Sequence, residues 1–169
     1  MSSDYLIEPL GLKHDRAAFC CGTEKLDIYL QERAGQDARR YVTVLYVLFN
    51  KNSNAVIGYY TLSATSIILE DLPIEVIRKL PRYPSLPATL LGRLAVDQNY
   101  QGKGLGEELL MDALYRSFMQ ANSIGSMAVV VEAKDKKAES FYQHYDFIQF
   151  PDRPNRLFLQ MTKIAKMFE

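Results

Sequence analysis

The stretch Leu90–Met111, LLGRLAVDQNYQGKGLGEELLM, decides the fold. It opens with a short apolar run, the pattern of a buried strand, made of Leu90, Leu91, Leu94, Ala95 and Val96. Three glycines then stand at every second position from Gly102 to Gly106, and apolar residues follow at helical spacing as far as Phe118. The stretch therefore predicts a strand, a glycine-rich turn and a helix.

The glycine-rich turn predicts a phosphate-binding site. Gly102 and Gly104 permit backbone dihedrals closed to other residues, so that successive N–H groups can point into one hollow. The first N–H groups of the following helix have no partner within it and carry the positive end of the helix dipole. Lys103 adds a full positive charge. A phosphate anion is the ligand that such an arrangement favours.

The glycine spacing distinguishes between the known phosphate-binding motifs. A P-loop requires lysine followed by serine or threonine, which this turn lacks. A dinucleotide-binding turn has the pattern G-x-G-x-x-G, and the glycines here fall one residue short of it, although Glu132 suits a ribose-binding acid. A glycine-rich turn without a ligand stays an alternative. The remaining pattern, Q-x-x-G-x-G, is met by Gln101, Gly104 and Gly106.

Length and composition predict one globular domain over residues 1–169. The chain has 48% hydrophobic and 24% charged residues, an ordinary balance for a folded protein. Lys plus Arg equals Asp plus Glu at 20 each, so any nucleic-acid site must be a local patch. The two cysteines are adjacent, and neither a run of 18 apolar residues nor a signal peptide is present. We expect a cytoplasmic protein without a membrane segment.

Periodicity and turn residues predict the other elements. An antiparallel hairpin ahead of the glycine turn disfavours a doubly wound dinucleotide domain. Its strands are Tyr41–Phe49 and Ala55–Ile68. The other predicted elements are an edge strand at Tyr5–Leu10, a helix capped by Thr23, an irregular crossing at Glu70–Ala88 with a short helix around Ile74–Leu80, a strand at Met127–Val131, a helix at Ala138–Tyr145 and a last strand at Arg156–Thr162.

The crossing has a lopsided charge. From Val76 to Val96 there is no acidic residue, and the four basic ones are Arg78, Lys79, Arg82 and Arg93. A chance cluster on a surface loop is the simple explanation. The functional interpretation is a contact for a phosphate-bearing substrate.

Two motifs together resemble the GNAT acetyltransferases, which hold acetyl-coenzyme A. The first is the Q-x-x-G-x-G turn, and the second is FY-x-x-x-x-F at Phe141, Tyr142 and Phe147. The resemblance implies an α/β (α+β) GNAT fold, with a mixed, largely antiparallel sheet of six to seven strands and about four helices. It also implies that acetyl-coenzyme A enters between the strand at Leu90–Val96 and the strand at Met127–Val131.

The same resemblance assigns roles to residues. Tyr142 is implied as the general acid that protonates the departing thiolate, a role suited to a phenol near sulfur. A core-anchoring aromatic is the alternative for Tyr142, and we expect His144 to be a packing or surface residue. Neither a covalent enzyme intermediate nor a metal is implied. The implied cofactor contacts are the backbone of Leu94, Ala95 and Val96 and the turn residues Gln101, Gly102, Lys103, Gly104, Leu105 and Gly106.

Asp146 departs from the family pattern. The GNAT enzymes usually show glycine just before the final phenylalanine of the second motif, where this chain has Asp146. This difference predicts a different local turn after the helix.

An ordered set of short motifs resembles the GNAT toxins of bacterial toxin–antitoxin pairs. The set spans roughly residues 5–162, and its members are Phe19-x-Cys21-Gly22, Leu26-Asp27, Tyr29-Leu30, Gly58-Tyr59-Tyr60, Leu91–Asp97, Ala133-Lys134-Asp135 and Phe141-Tyr142. These toxins acetylate the α-amino group of aminoacyl-tRNA. The chain differs from them in having Glu132 where histidine is frequent, and in its zero net charge.

This second resemblance implies partners. We expect aminoacyl-tRNA as the acceptor, with its acceptor-stem phosphates on Arg93 and on Arg78, Lys79 and Arg82, a ribbon-helix-helix antitoxin, and a homodimer as a further option. A small amine or a protein N-terminus is the alternative acceptor. A module that binds acetyl-coenzyme A without transfer is a second class of function, but it would be expected to lack Tyr142.

Overall fold

The computed structural model of the protein describes residues 4–169. Within this range it has seven strands and six α-helical segments, and a π-helical turn at Tyr29–Arg33 joins the first two helices. Strands β1–β7 are Tyr5–Pro9, Val44–Asn50, Val56–Ile68, Ser85–Val96, Ala128–Glu132, Ile148–Phe150 and Arg153–Gln160. Helices α1–α6 are Glu24–Ile28, Ala34–Arg39, Ile74–Ile77, Leu105–Gln120, Lys136–His144 and Met161–Phe168.

The strands form one sheet in the order β1-β2-β3-β4-β5-β7-β6. The pairs β1–β2, β2–β3, β5–β7 and β6–β7 are antiparallel, whereas β4 and β5 are parallel, with a register from Thr89 opposite Val129 to Leu91 opposite Val131. The mixed, largely antiparallel sheet predicted from the sequence is confirmed, as is the edge position of β1. No described helix is long and apolar enough to cross a membrane.

The chain divides into two compact units. The first comprises the described residues up to Ser63 together with Gly92–Ala113, and the second comprises Ala64–Leu91 and Leu114–Glu169. The single domain predicted over residues 1–169 stays a prediction, and its first three residues lie outside the described part of the chain.

The core of the first unit packs the first helical segment against the strands of the hairpin. Apolar side chains from both are almost completely removed from water, which is the main source of stability in such a unit. They include Phe19, Tyr29, Leu30, Leu45, Val47, Phe49, Val56, Tyr59 and Ala95.

Gly58 allows a close approach inside this unit. A Cβ at Gly58 would lie 2.9 Å from the Leu109 Cδ1 atom and 3.2 Å from the carbonyl oxygen of Ala95. Because real Cβ atoms essentially never approach to 2.9 Å, a side chain at this position would force the Leu109 side chain to move and would crowd the Ala95 carbonyl.

The core of the second unit joins the crossing to the last strands. Its buried members include Ile67, Leu72, Ala88, Ala128, Val130, Phe150 and Phe158. The crossing predicted as irregular up to Ala88 is shorter than expected, because β4 already begins at Ser85. Its short helix, α3, ends at Ile77 rather than at Leu80.

The C-terminal segment corrects a sequence prediction. The last strand ends at Gln160 and does not include Met161 and Thr162, which open helix α6. Met161 and Ile164 of this helix are buried, and the ring of Phe168 lies 5.3 Å from the Tyr115 ring. These apolar residues follow helical spacing, and their burial explains why the chain turns from strand to helix here.

The π-helical turn accepts a hydrogen bond from a side chain outside the helix. A π-helical turn inserts one residue into an α-helix. Arg16 donates a hydrogen bond of 3.0 Å from its Nη1 atom to the carbonyl oxygen of Leu30, inside that turn. Thr23 stands at the N-cap of α1 as predicted, but its side chain makes no capping hydrogen bond; its backbone carbonyl accepts from the N–H groups of Leu26 and Asp27.

Candidate functional site

The glycine-rich turn has the backbone that the sequence predicted. Gly102 and Gly104 have φ angles of +79° and +80°, in the left-handed region that favours glycine. A Cβ built at either position would meet no atom within 4 Å, so the space beside the turn is open. Helix α4 begins directly afterwards, at Leu105. Open space beside glycine backbone at a helix N-terminus is what a bound phosphate requires.

Gln101 positions this turn with its side chain. Its Nε2 atom donates to the carbonyl oxygens of Cys21 at 3.0 Å and Val96 at 2.9 Å. The amide nitrogen is therefore committed to the protein. The backbone of Gln101 remains for the cofactor contact that the sequence predicts.

Asp97 is a second anchor of the turn, and sequence reasoning did not single it out as a site residue. Its carboxylate is buried and accepts hydrogen bonds from the backbone N–H groups of Cys20, at 3.1 Å, and Asn99, at 2.9 Å. The backbone of Gln98 also donates to the Cys20 carbonyl at 2.8 Å. The local signal in the sequence is an aspartate directly after a strand, because an Asp side chain often accepts from the backbone N–H two residues later.

The end of β4 has less free backbone than the resemblance implied. Ala95 is buried and its carbonyl oxygen faces Gly58, while the Val96 carbonyl accepts from Gln101. Leu94 is half-buried. The role of these three residues in aligning the pantetheine arm stays a prediction.

Lys103 is exposed next to the turn. Its Nζ atom lies 5.2 Å from the centroid of the Tyr100 ring, a cation–π contact. The charge therefore stands beside the glycine backbone, where it can meet a phosphate.

Tyr142 lies on α5 and is 7% exposed. Its ring packs against Phe141 and Phe147, and no hydrogen bond joins its hydroxyl to any residue in the described part of the chain. Burial alone raises the pKa of the Tyr142 hydroxyl well above its usual value. The hydroxyl therefore keeps its proton at physiological pH, as a general acid must.

The turn after α5 explains the spacing of the second motif. Asp146 donates its N–H to the Gln143 carbonyl, and Phe147 donates to the Tyr142 carbonyl at 3.2 Å, which together form a Schellman motif. Asp146 takes the required left-handed conformation, with φ at +72°. The prediction of a different local turn was wrong, because aspartate here adopts the conformation that glycine favours. His144, on the last turn of this helix, is exposed as expected.

Arg93 lies in the first unit beside the first helix. Its guanidinium carbon is 3.5 Å from the centroid of the Tyr29 ring, and the Tyr29 hydroxyl donates to Asp37 at 2.8 Å. Burial and that hydrogen bond raise the pKa of Tyr29 to about 12. Lys25 and Arg33 line the same groove as Arg93. Neither Lys25 nor Arg33 was among the site residues predicted from the sequence.

The other predicted substrate residues lie in the second unit. Arg78, Lys79 and Arg82 are exposed on the crossing, and Arg82 lines a groove of about 470 Å³. Glu70 lines this groove too, so its charge is mixed. Glu132, at the end of β5, accepts from Arg153 at 3.0 Å in an exposed ion pair. Such a pair contributes little to stability.

Comparison with known proteins gives the family. The model of the acetyltransferase (GNAT) domain matches residues 85–166. The chain is 33% identical over 170 residues to the probable toxin TacT of Sinorhizobium fredii, with 96% of this chain and 94% of the relative covered. It is 38% identical over 152 residues to the tRNA-acetylating toxin of Mycobacterium tuberculosis, with 87% and 86% covered.

The fold of the chain is also similar to solved structures of toxins. AtaT complexed with acetyl-methionyl-tRNAfMet is 30% identical, with a TM-score of 0.91, 98% of this chain covered and 100% of the other. A tyrosine-to-phenylalanine mutant of AtaT, bound to acetyl-CoA and the C-terminus of the antitoxin AtaR, is 28% identical, with a TM-score of 0.84 and 98% of each chain covered. The chain belongs to the GNAT family and is an acetyl-coenzyme A-dependent acetyltransferase.

Proposed function

We propose that the protein transfers the acetyl group of acetyl-coenzyme A to the α-amino group of aminoacyl-tRNA and thereby blocks translation, as the toxin of a toxin–antitoxin pair. The observation that carries the proposal is the similarity, over 87% of the chain, to a protein named a tRNA-acetylating toxin. The solved complex of AtaT with acetyl-methionyl-tRNAfMet supports the same acceptor.

The first unit would hold acetyl-coenzyme A. The backbone N–H groups of Gln101–Gly106 would bind the pyrophosphate, with Lys103 supplying positive charge. The backbone at Leu94–Val96 would align the pantetheine arm by strand-like pairing. The open space beside Gly102 and Gly104 supports this placement.

Tyr142 would act as the general acid. The lone pair of a neutral α-amino group forms the new C–N bond at the thioester carbonyl, and the C–S bond breaks. The sulfur takes the proton of the Tyr142 hydroxyl, and the proton lost by the amine returns to that oxygen through water. An α-amino group has a pKa of about 7.7–8.0, so it is partly neutral at physiological pH and needs no strong base.

Basic residues would hold the acceptor. Arg93, Arg78, Lys79 and Arg82 are the candidates for contacts with the phosphates of the acceptor stem. The support for this assignment is that no residue in the described chain forms an ion pair with any of the four.

We extend the proposal to partners. The complexes of AtaT with AtaR support an antitoxin for this chain, and we propose a ribbon-helix-helix protein. We further propose a homodimer in the cytoplasm, where charged tRNA is found.

The proposal is tested by transfer of labelled acetyl from acetyl-coenzyme A to aminoacyl-tRNA, run beside spermidine and peptide amines. We expect label on the aminoacyl-tRNA and growth arrest when the chain is expressed without an antitoxin. Efficient labelling of a small amine or a protein N-terminus, with tRNA unlabelled, would instead establish the alternative acceptor. Harmless expression of an active enzyme would also contradict the toxin role.

A further inference from the structure

A groove of about 410 Å³ runs along the first helical segment of the first unit. Its volume lies in the range of small-ligand sites. Helix α1 and the π-helical turn contribute most of its wall, and β4 contributes Arg93. The residues that line it are Lys25, Leu26, Ile28, Tyr29, Arg33 and Arg93.

Three of these residues are cations outside any ion pair of the described chain. Among the described residues, Lys25, Arg33 and Arg93 form no ion pair. The neighbouring acids have other partners, because Asp27 accepts from the Cys21 N–H and Asp37 accepts from the Tyr29 hydroxyl. A groove lined by three cations outside ion pairs favours an anionic ligand.

Arg93 forms a flat, fixed platform in this groove. Its guanidinium stacks on the Tyr29 ring, and the Tyr29 ring lies nearly parallel to the Tyr59 ring, at 6.4 Å and 18°. The Tyr59 hydroxyl donates to the Leu26 carbonyl at 2.8 Å, which ties the column to α1. Guanidinium planes are surfaces on which unpaired RNA bases stack.

The platform also lies close to the predicted cofactor backbone along one strand. Arg93 precedes Val96 by three residues in β4, so that the two Cα atoms are about 10 Å apart at the usual rise of a strand. A ligand on Arg93 is therefore near the pantetheine arm if that arm follows Leu94–Val96.

We propose that this groove binds the single-stranded 3′ end of the acceptor RNA, with a base on the Arg93 platform and its flanking phosphates on Lys25 and Arg33. The inference rests on the proposed function, since it names the part of the aminoacyl-tRNA that the first unit recognises. The apolar side chains of Leu26 and Ile28 suit the edge of a base. The exposed cations of the crossing then remain for phosphates outside the 3′ trinucleotide.

The test compares two acceptors of different length. One is aminoacyl-tRNA, and the other is an aminoacylated C-C-A trinucleotide that retains only the 3′ end. The double variant Lys25→Glu/Arg33→Glu should lower kcat/KM on both acceptors by on the order of tenfold to a hundredfold. It should also flatten the salt dependence of RNA binding, because two phosphate contacts are lost. The double variant Arg78→Glu/Lys79→Glu should lower kcat/KM on tRNA alone.

Control variants distinguish a loss of RNA recognition from a general effect of net charge, and a melting assay distinguishes it from a loss of folding. Lys51→Glu/Lys163→Glu makes the same change in net charge at exposed sites with no proposed role, and it should leave kcat/KM on both acceptors within about twofold. Arg93→Lys keeps the charge but removes the planar guanidinium. It should therefore lower kcat/KM on the aminoacylated trinucleotide by about tenfold. The melting shift produced by acetyl-coenzyme A shows in each variant that the fold and the cofactor site persist.

The outcomes are distinct. Wild-type protein that acetylates neither RNA acceptor contradicts the proposed function itself. If the wild-type protein acts on both acceptors while Lys25→Glu/Arg33→Glu has the same kcat/KM as the Lys51→Glu/Lys163→Glu control, that result contradicts RNA binding in the groove. If Lys25→Glu/Arg33→Glu lowers kcat/KM on tRNA but not on the trinucleotide, the proposal is also contradicted, because Lys25 and Arg33 would then not contact the 3′ end.

Discussion

The Oδ2 atom of Asp97 accepts a hydrogen bond of 3.1 Å from the backbone N–H of Cys20, which lies 77 residues earlier in the chain. Gln101 reaches the next residue, with its Nε2 atom 3.0 Å from the Cys21 carbonyl. Both ends of the segment that leads to the glycine-rich turn are thus tied to one dipeptide. That dipeptide lies outside residues 85–166, which the family model matches.

This tie predicts the effect of Asp97→Asn. The substitution keeps the shape but replaces a buried acceptor of two N–H groups by a neutral amide, so we expect a loss of about 1–3 kcal/mol in the free energy of unfolding. Affinity for acetyl-coenzyme A should fall as well, because the turn loses an anchor. Urea unfolding and titration calorimetry measure the two effects. Asp15→Asn is the matched control, since the exposed carboxylate of Asp15 accepts from the nearby N–H of Ala17; an equal loss there would contradict the prediction.

Gly104→Val should abolish the stabilisation of the protein by acetyl-coenzyme A. The wild-type protein should gain ~2.7 kcal/mol at a hundredfold excess of ligand over Kd, visible as a rise in melting temperature. Valine is strained at a φ of +80° and fills the space beside the turn. Gly125→Val, at an exposed loop glycine with open space around it, should retain the shift. If the melting temperature of the wild-type protein rises with NAD rather than with acetyl-coenzyme A, the assignment of the turn to acetyl-coenzyme A is wrong.

Tyr142→Phe should lower kcat by roughly 10²–10⁴-fold, the range for loss of a positioned general acid. The ring packing against Phe141 and Phe147 is kept, so the Kd for acetyl-coenzyme A should change little. Tyr145→Phe, at the residue that follows this helix, is the control and should keep most of the activity. An equal loss of cofactor binding in Tyr142→Phe would show that the ring is structural, and unchanged kcat would remove the hydroxyl from the mechanism.

The pH dependence follows from the raised pKa of Tyr142. Because burial keeps the proton on the hydroxyl beyond the usual pKa of about 10, log kcat/KM should rise to a plateau near pH 8, where the α-amino group becomes neutral, and stay level to pH 10. Above pH 10 the unfolded chain loses the tyrosine proton and the folded chain keeps it, so the free energy of unfolding should fall as pH rises. Initial rates from pH 6 to 10 check the plateau; an alkaline decline below pH 9 would contradict it.

The sequence predicted the elements whose signals are local. The apolar run before the glycines, the hairpin and the left-handed Gly102 and Gly104 are all present, because each depends on residues close together in the chain. The C-terminal helix was missed although Met161, Ile164 and Phe168 have helical spacing, since the apolar residues before them continue a strand pattern without a break.

The site contains contacts that no local pattern reveals. The bonds from Asp97 to Cys20 and from Gln101 to Cys21 join distant parts of the chain, and the stacking of Arg93 on Tyr29 does the same. Lys25 was overlooked because a charge on a helix is usually solvated, and only the groove shows its neighbours. Asp146 was misjudged because residue type alone did not reveal its positive φ.

The π-helical turn at Tyr29–Arg33 makes the length of the first helical segment as important as its composition. Each residue added to or removed from an α-helix rotates everything beyond it by about 100°. Because the wide turn already holds one extra residue, deleting one residue from it would restore a regular helix and leave Ala34, now fully buried, facing the core, whereas a further insertion would carry Ala34 around the axis. This segment should therefore tolerate a single-residue deletion within Tyr29–Arg33 better than a single-residue insertion there.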